Sequence, residues 1–125
     1  MRFTPGELAV MRLLWEYGEQ KPSEIQMRFP ETIKNPALRS YLTILVQKGH
    51  ITRRKAGKAY FYKARTKQKR AFRSMLGDLA DAFSDGSLRG LLFQLAEEEQ
   101  LTEADIKELQ SFIKDATKPR KGRKK

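Results

Sequence analysis

The sequence predicts a mainly α-helical fold carrying one small β-hairpin, with three helices before the hairpin and three after it. Three observations predict it. Apolar residues recur at helical spacing in six separate stretches. Several of those stretches open on a cap-and-proline signature. The period changes once, between Ile51 and Lys63, where a basic run and an aromatic run flank Gly57.

The first helix starts at Thr4-Pro5-Gly6-Glu7, which supplies a capping hydroxyl, a proline for the first turn and a carboxylate three residues after the cap. Leu8, Met11, Leu14 and Trp15 share its apolar face, Glu7, Arg12 and Glu16 the other, and Gly18 ends it. A short second helix runs from about Pro22 to Phe29, with Ile25 and Phe29 inward and Pro30 as its stop. The third takes Asn35 as its cap and Pro36 as its first residue, and runs to Lys48 before Gly49. Leu38, Leu42, Leu45 and Val46 form its buried stripe. Residues 51–55 and 59–63 then read as two strands around a glycine turn. A fourth helix follows Thr66, a fifth follows Ser87 with Leu88, Leu91, Leu92 and Leu95 inward, and Thr102 caps a sixth with Asp105 at its third position. This is the order of elements of a winged helix-turn-helix followed by a C-terminal helical segment. The expected boundaries are 1–65 for the winged helix, 66–116 for the helical segment and 117–125 for a basic disordered tail.

Charge is distributed by segment. Of the 125 residues, 26 are Lys or Arg and 15 are Asp or Glu, for a net charge of +11. Residues 1–73 hold 17 basic groups against five acids, residues 74–117 three against ten, and residues 118–125 six against none. Between Lys34 and Arg73 stand 13 basic side chains and no carboxylate. A block of one sign suits a polyanion partner. In a winged helix the third helix is the reader of a major groove. Its outward residues Asn35, Ala37, Arg39, Ser40 and Thr43 are therefore expected at DNA, with Arg53, Arg54, Lys55 and Lys58 of the hairpin beside them. Arg39 has the fork geometry for a bidentate contact to guanine.

The C-terminal stripes call for a different partner. Phe72, Met75, Leu76, Leu79 and Phe83 lie along the fourth helix, Leu91 and Leu92 on the fifth, and Ile106, Leu109, Phe112 and Ile113 along the sixth. Helices this short need a partner surface, and their acidic surroundings keep them from nucleic acid. Pairing with the same helices of a second chain is the expectation, which makes the protein a homodimer on a double-stranded operator of dyad symmetry.

Other chemistry finds little support. The chain has no cysteine, which excludes disulfides, thiolate metal sites and cysteine nucleophiles. His50 is the single histidine, expected to be structural or exposed, and no His–carboxylate cluster supports a zinc site or a catalytic triad. No glycine-rich phosphate loop is present, and Glu97-Glu98-Glu99 reads as a solvated charge run. Neither enzymatic activity nor a cofactor nor a metal is expected. No signal-peptide core and no membrane-length apolar run appear, so the expected location is the cytoplasm without membrane insertion. A winged-helix protein-interaction module with weak nucleic-acid binding is the alternative. RNA binding is a third reading, disfavoured because the A-form major groove is too deep and narrow for a helix.

The chain resembles the penicillinase-repressor family of winged-helix transcriptional repressors over about residues 3–114. The resemblance rests on Glu7-Leu8-Ala9-Val10-Met11 with Leu14-Trp15, on Leu38 through Gly49, on Tyr60-Phe61-Tyr62, and on Leu101-Thr102 with Ile106, Leu109 and Ile113. It implies homodimers that bind dyad operators through the winged helix and pair through the C-terminal helices. It also implies release by proteolysis, in response to a membrane-bound metalloprotease sensor. The position matching the family's cleaved bond is Gln94–Leu95. Three departures are visible. Ala37 and Ile44 stand where the family often has Thr and Arg, which leaves the operator sequence open. The cysteine motif of the copper-responsive branch is missing. Gln94–Leu95 replaces the Asn–Phe pair of the antibiotic-resistance members.

Overall fold

The computed structural model describes residues 2–117, in eight elements. These are α1 (Pro5–Tyr17), α2 (Pro22–Arg28), α3 (Asn35–Gln47), β1 (Ile51–Ala56), β2 (Ala59–Ala64), α4 (Gln68–Phe83), α5 (Leu88–Glu99) and α6 (Glu103–Thr117). Thr117 thus closes α6 rather than opening a tail, and the expected disorder of 118–125 falls outside the described residues. The chain divides into two compact units after Asp78, inside α4. The boundary expected at 65/66 puts all of α4 with the C-terminal segment. The early turns of α4 stay with the first unit because Trp15 Nε1 donates 2.8 Å to the Thr66 carbonyl and Ala71 is buried.

The core of the first unit is Val10, Met11, Leu14, Ile25, Leu38, Leu42, Leu45 and Ile51, with Tyr62 at its edge. Helix α1 buries more than the expected stripe, since Val10 and Leu13 join Met11 and Leu14. Glu7, expected on the outer face, is only 3% exposed. Its carboxylate accepts the Thr4 N–H at 3.0 Å while the Thr4 hydroxyl accepts the Glu7 N–H at 3.2 Å, and Lys48 Nζ stands 3.5 Å away. A buried carboxylate is tolerable when it is hydrogen-bonded and paired in this way. Gly6 is needed for packing: a Cβ there would sit 2.2 Å from the Tyr41 ring. The third helix begins one residue earlier than expected, with Lys34 at the cap and Asn35 inside the first turn.

The strands pair antiparallel from Ile51–Ala64 to Ala56–Ala59, leaving Gly57 and Lys58 as a two-residue turn. Gly57 has φ +63° and Lys58 is not among the positive-φ residues, the pattern of a II′ turn, whose twist suits a hairpin. One piece of the sheet is invisible in the hydrophobic pattern. Gln20 bridges to Tyr62 through two backbone hydrogen bonds, 2.9 Å and 2.8 Å, so the α1–α2 turn lines the free edge of β2. The Gln20 side chain is 1% exposed. It donates to the carbonyls of Leu13 (2.9 Å) and Gly18 (3.1 Å) and accepts from Arg28 (2.7 Å).

In the second unit the end of α4 turns sharply into α5. The Ser84 hydroxyl donates to the Ala80 and Ser87 carbonyls, and the Ser87 hydroxyl caps α5 by accepting the Gly90 N–H at 3.0 Å. The expected capping box of α6 is formed by Thr102 and Asp105, with both bonds at 3.1 Å. On α5 only Leu91 of the four inward leucines is buried. Leu88, Leu92 and Leu95 are each about half exposed. With Phe93 they put apolar side chains around most of the helix, more than one neighbouring element covers.

Candidate nucleic-acid interface

The face of the hairpin follows from its register. Ile51, Arg53 and Lys55 alternate to one side of β1 and pair across to Ala64, Tyr62 and Tyr60. Ile51 and Tyr62 are buried in the core, so Arg53, Lys55 and Tyr60 continue that same inner face outward past the core. Of these, Arg53 and Tyr60 meet α3 across an open groove of about 560 Å³, which Lys55 does not line. From α3 the groove takes Asn35, Arg39 and Thr43; from the hairpin, Arg53, Lys58 and Tyr60; from the α2 region, Lys21, Ser23 and Gln26. Its lining contains no carboxylate. The guanidinium of Arg53 lies 4.7 Å and Lys55 Nζ 5.8 Å from the Tyr60 ring centre, arrangements that hold long cations in place.

The structure thus gathers Asn35, Arg39, Thr43, Arg53 and Lys58 in one place. Ala37 and Ser40 are exposed on α3 without lining the groove. Sequence reasoning missed the contribution of α2 and Tyr60. The available signal was the basic and polar Lys21-Pro22-Ser23 at a helix start.

Arg54 is placed differently. It alternates to the outer side of the hairpin, over Phe61 at 5.0 Å from the ring centre. There it forms a two-bond fork to Glu19, 2.9 Å from Nε and 2.7 Å from the terminal nitrogen. The bonds from Arg54 hold the Glu19 carboxyl below the ordinary carboxylate value, and the same bonds raise Arg54. The basic block of the sequence is therefore not a single surface.

A third part of the block lies at the far end of α3. Lys48, Arg65, Lys67 and Arg70 surround His50. His50 Nδ1 shares a 2.8 Å hydrogen bond with the Thr66 hydroxyl, and its ring packs on Phe3 with centres 4.7 Å apart. Burial, then the charge of Lys48, depress the His50 pKa below the ordinary 6.5, against a raising effect of Glu7. The expectation of a structural histidine fits these contacts. Among the described residues no group of three His, Asp or Glu side chains is placed to hold a metal ion, and no helix is long and apolar enough to cross a membrane.

The expected association residues split by exposure. Phe72, Leu79, Phe83, Leu92, Ile106, Leu109, Phe112 and Ile113 range from 38% to 70% exposed. Met75 and Leu76 are half-buried, and Leu91 is covered within its own chain. Gln94 and Leu95 lie in the interior of α5, both exposed.

Comparison with known proteins adds to this geometry. The model of the family described as penicillinase repressor matches residues 3–115. A penicillinase repressor of Staphylococcus aureus is 24% identical over 115 residues, 90% of this chain and 91% of that protein. A penicillinase repressor of Bacillus licheniformis is 21% identical over 116 residues, 91% of each chain. Among solved structures, a crystal structure of a transcriptional regulator matches with a TM-score of 0.52 at 22% identity, covering 94% of this chain and 80% of its own.

Proposed function

Because the chain belongs to the penicillinase repressor family and is a DNA-binding transcriptional repressor, we propose that it binds a dyad operator as a homodimer, inserting α3 into the major groove. The observation that carries this reading is the groove between α3 and the hairpin. It presents Arg39, Arg53 and Lys58 with the polar Asn35 and Thr43, and without a carboxylate. Arg39, exposed in the second turn of α3, is the base-reading candidate; Asn35, Ala37, Ser40 and Thr43 flank it at base edges or phosphates, and Arg53, Lys55 and Lys58 reach phosphates or the adjacent minor groove.

Pairing through the exposed stripes of α4, α5 and α6 supplies the second half-site reader. The same stripes in a second copy are their most economical cover, and the acidic balance of residues 74–117 separates this surface from DNA. Relief of repression is proposed to follow a cut at Gln94–Leu95, in a system with a membrane sensor protease, which would separate α6 from the DNA-binding unit. The bond lies inside α5, so cleavage requires that helix to open locally. A cytoplasmic location follows from the operator as target.

Selection of bound duplexes from a random DNA pool tests the whole reading. An inverted repeat is the expected product. Recovery of no preferred duplex would return the alternative, a winged-helix protein-interaction module. On the selected site, Arg39→Ala is expected to cost about 1–3 kcal/mol and to relax preference at one base pair per half-site.

A further inference from the structure

We propose that Glu19 and Arg54 form a brace across the outer face of the hairpin, fixing the hairpin against the α1–α2 turn and thereby setting the groove in which DNA lies. Arg54 is then a positioning residue, not a phosphate contact.

The brace is built from both edges of β2. On one edge β1 carries Arg54 directly opposite Phe61. On the other edge the α1–α2 turn is bonded at Gln20 to Tyr62. Glu19, next to Gln20, reaches over β2 to receive both bonds of the Arg54 fork at 2.9 Å and 2.7 Å, with the guanidinium lying over Phe61. Backbone bridge and side-chain fork therefore act in the same direction, from the same turn.

The register excludes Arg54 from the groove. It alternates with Arg53 and Lys55, which continue the inner face beside α3. Arg53 and Lys58 line the groove and Arg54 does not. A planar fork stacked on a ring and closed on a carboxylate is pre-organised, with less rotamer freedom to lose than a free surface pair. Lys63, whose charge also acts on Glu19, stands on the same outer face and keeps the carboxylate in a cationic setting.

This inference rests on the proposed DNA face, and the test separates the two. The full chain is titrated with a duplex carrying the selected sequence, at several salt concentrations, as native protein and as Glu19→Gln, Arg54→Gln and the double variant. The brace predicts that each single variant weakens binding by roughly two- to fivefold per half-site, the scale of an exposed ion pair. The double variant should be no weaker than either single one, and all should keep the native salt slope, with circular dichroism confirming the fold. A salt slope lowered by about one unit in Arg54→Gln, together with tighter binding by Glu19→Gln, would make Arg54 a phosphate contact that Glu19 masks and would overturn the proposal. Additive losses, or native affinity in both single variants, would overturn it equally. Arg39→Ala, run alongside, tests the groove itself: native affinity there faults the DNA face, whatever the brace variants do.

Discussion

The two compact units carry apolar stripes of similar strength and end in opposite states. In the first, Val10, Met11, Ile25, Leu38 and Leu45 are wholly buried by their own chain. In the second, every side chain from Leu101 to Asp115 is exposed, although Ile106, Leu109, Phe112 and Ile113 share one helical face as the buried Leu38, Leu42 and Leu45 do. The difference is closure. Helices α1, α2 and α3 cross one another and are sealed by the hairpin, so each stripe meets another within the unit. The C-terminal helices follow one another along the chain without such a seal. A stripe determines that a helix has a face to cover; it does not determine who covers it.

The largest effect that would break this comparison lies in the second unit. Leu109→Asp should leave the first unit folded, because no core residue is touched, and should dissociate the proposed dimer by placing an unpaired charge at its interface. Affinity for an inverted repeat is then expected to fall by roughly 10²–10⁴, the scale of lost bivalency. Sedimentation read beside DNA titration checks it. A native chain that is monomeric at micromolar concentration yet binds the dyad at full affinity would refute the pairing.

The converse change belongs to the first unit. Leu42→Ala removes a side chain 1% exposed and should destabilise that unit by about 2–5 kcal/mol in chemical denaturation, unlike the truncation Leu109→Ala in an isolated monomer.

Two glycines of the first unit, one beside its core and one near its end on α4, give a smaller test. Gly6→Ala drives a methyl into the Tyr41 ring and is expected to cost about 1 kcal/mol, an overpacking penalty of about 1–3 reduced by helix propensity of about 1. Gly77→Ala on α4 meets nothing within 4 Å in the single chain and should raise stability by about 0.5–1 kcal/mol. A destabilised Gly77→Ala would show that a second chain covers that part of α4.

The smallest expected effect concerns pH. His50 has a lowered pKa in the folded chain, so the unfolded chain binds its proton more readily. Stability contributed by neutral His50 is complete above the ordinary 6.5 and is lost as pH falls through the lowered value in the fold. His50→Gln should flatten that part of the stability profile, read as melting temperature against pH, while leaving DNA affinity near neutrality unchanged.

Much of the architecture could be read from the residues. Thr4-Pro5 and Thr102 with Asp105 announced helix starts because capping is local, formed by side chains three residues apart. Gly57 announced the hairpin because its turn needs a positive φ. Leu38, Leu42 and Leu45 identified the inner face of α3, and so placed Asn35, Arg39 and Thr43 outward at the groove. These inferences succeed because helix and strand periods tie neighbours along the chain to one side or the other.

What tertiary structure decided involves residues distant in sequence. Glu7 is polar and locally outward, yet it is buried, with Lys48, 41 positions away, as its cationic partner at 3.5 Å. Gln20 shows no strand pattern, yet it joins the sheet because Tyr62 offers a free edge. Arg54 has the same charge as Arg53, but register turns it away from the groove and Glu19, 35 positions away, receives it. Composition could count the 13 cations between Lys34 and Arg73. Only the register of a hairpin against a turn could divide them among a groove, a brace and the far end of α3, because charge is a property of a residue and facing is a property of its neighbours.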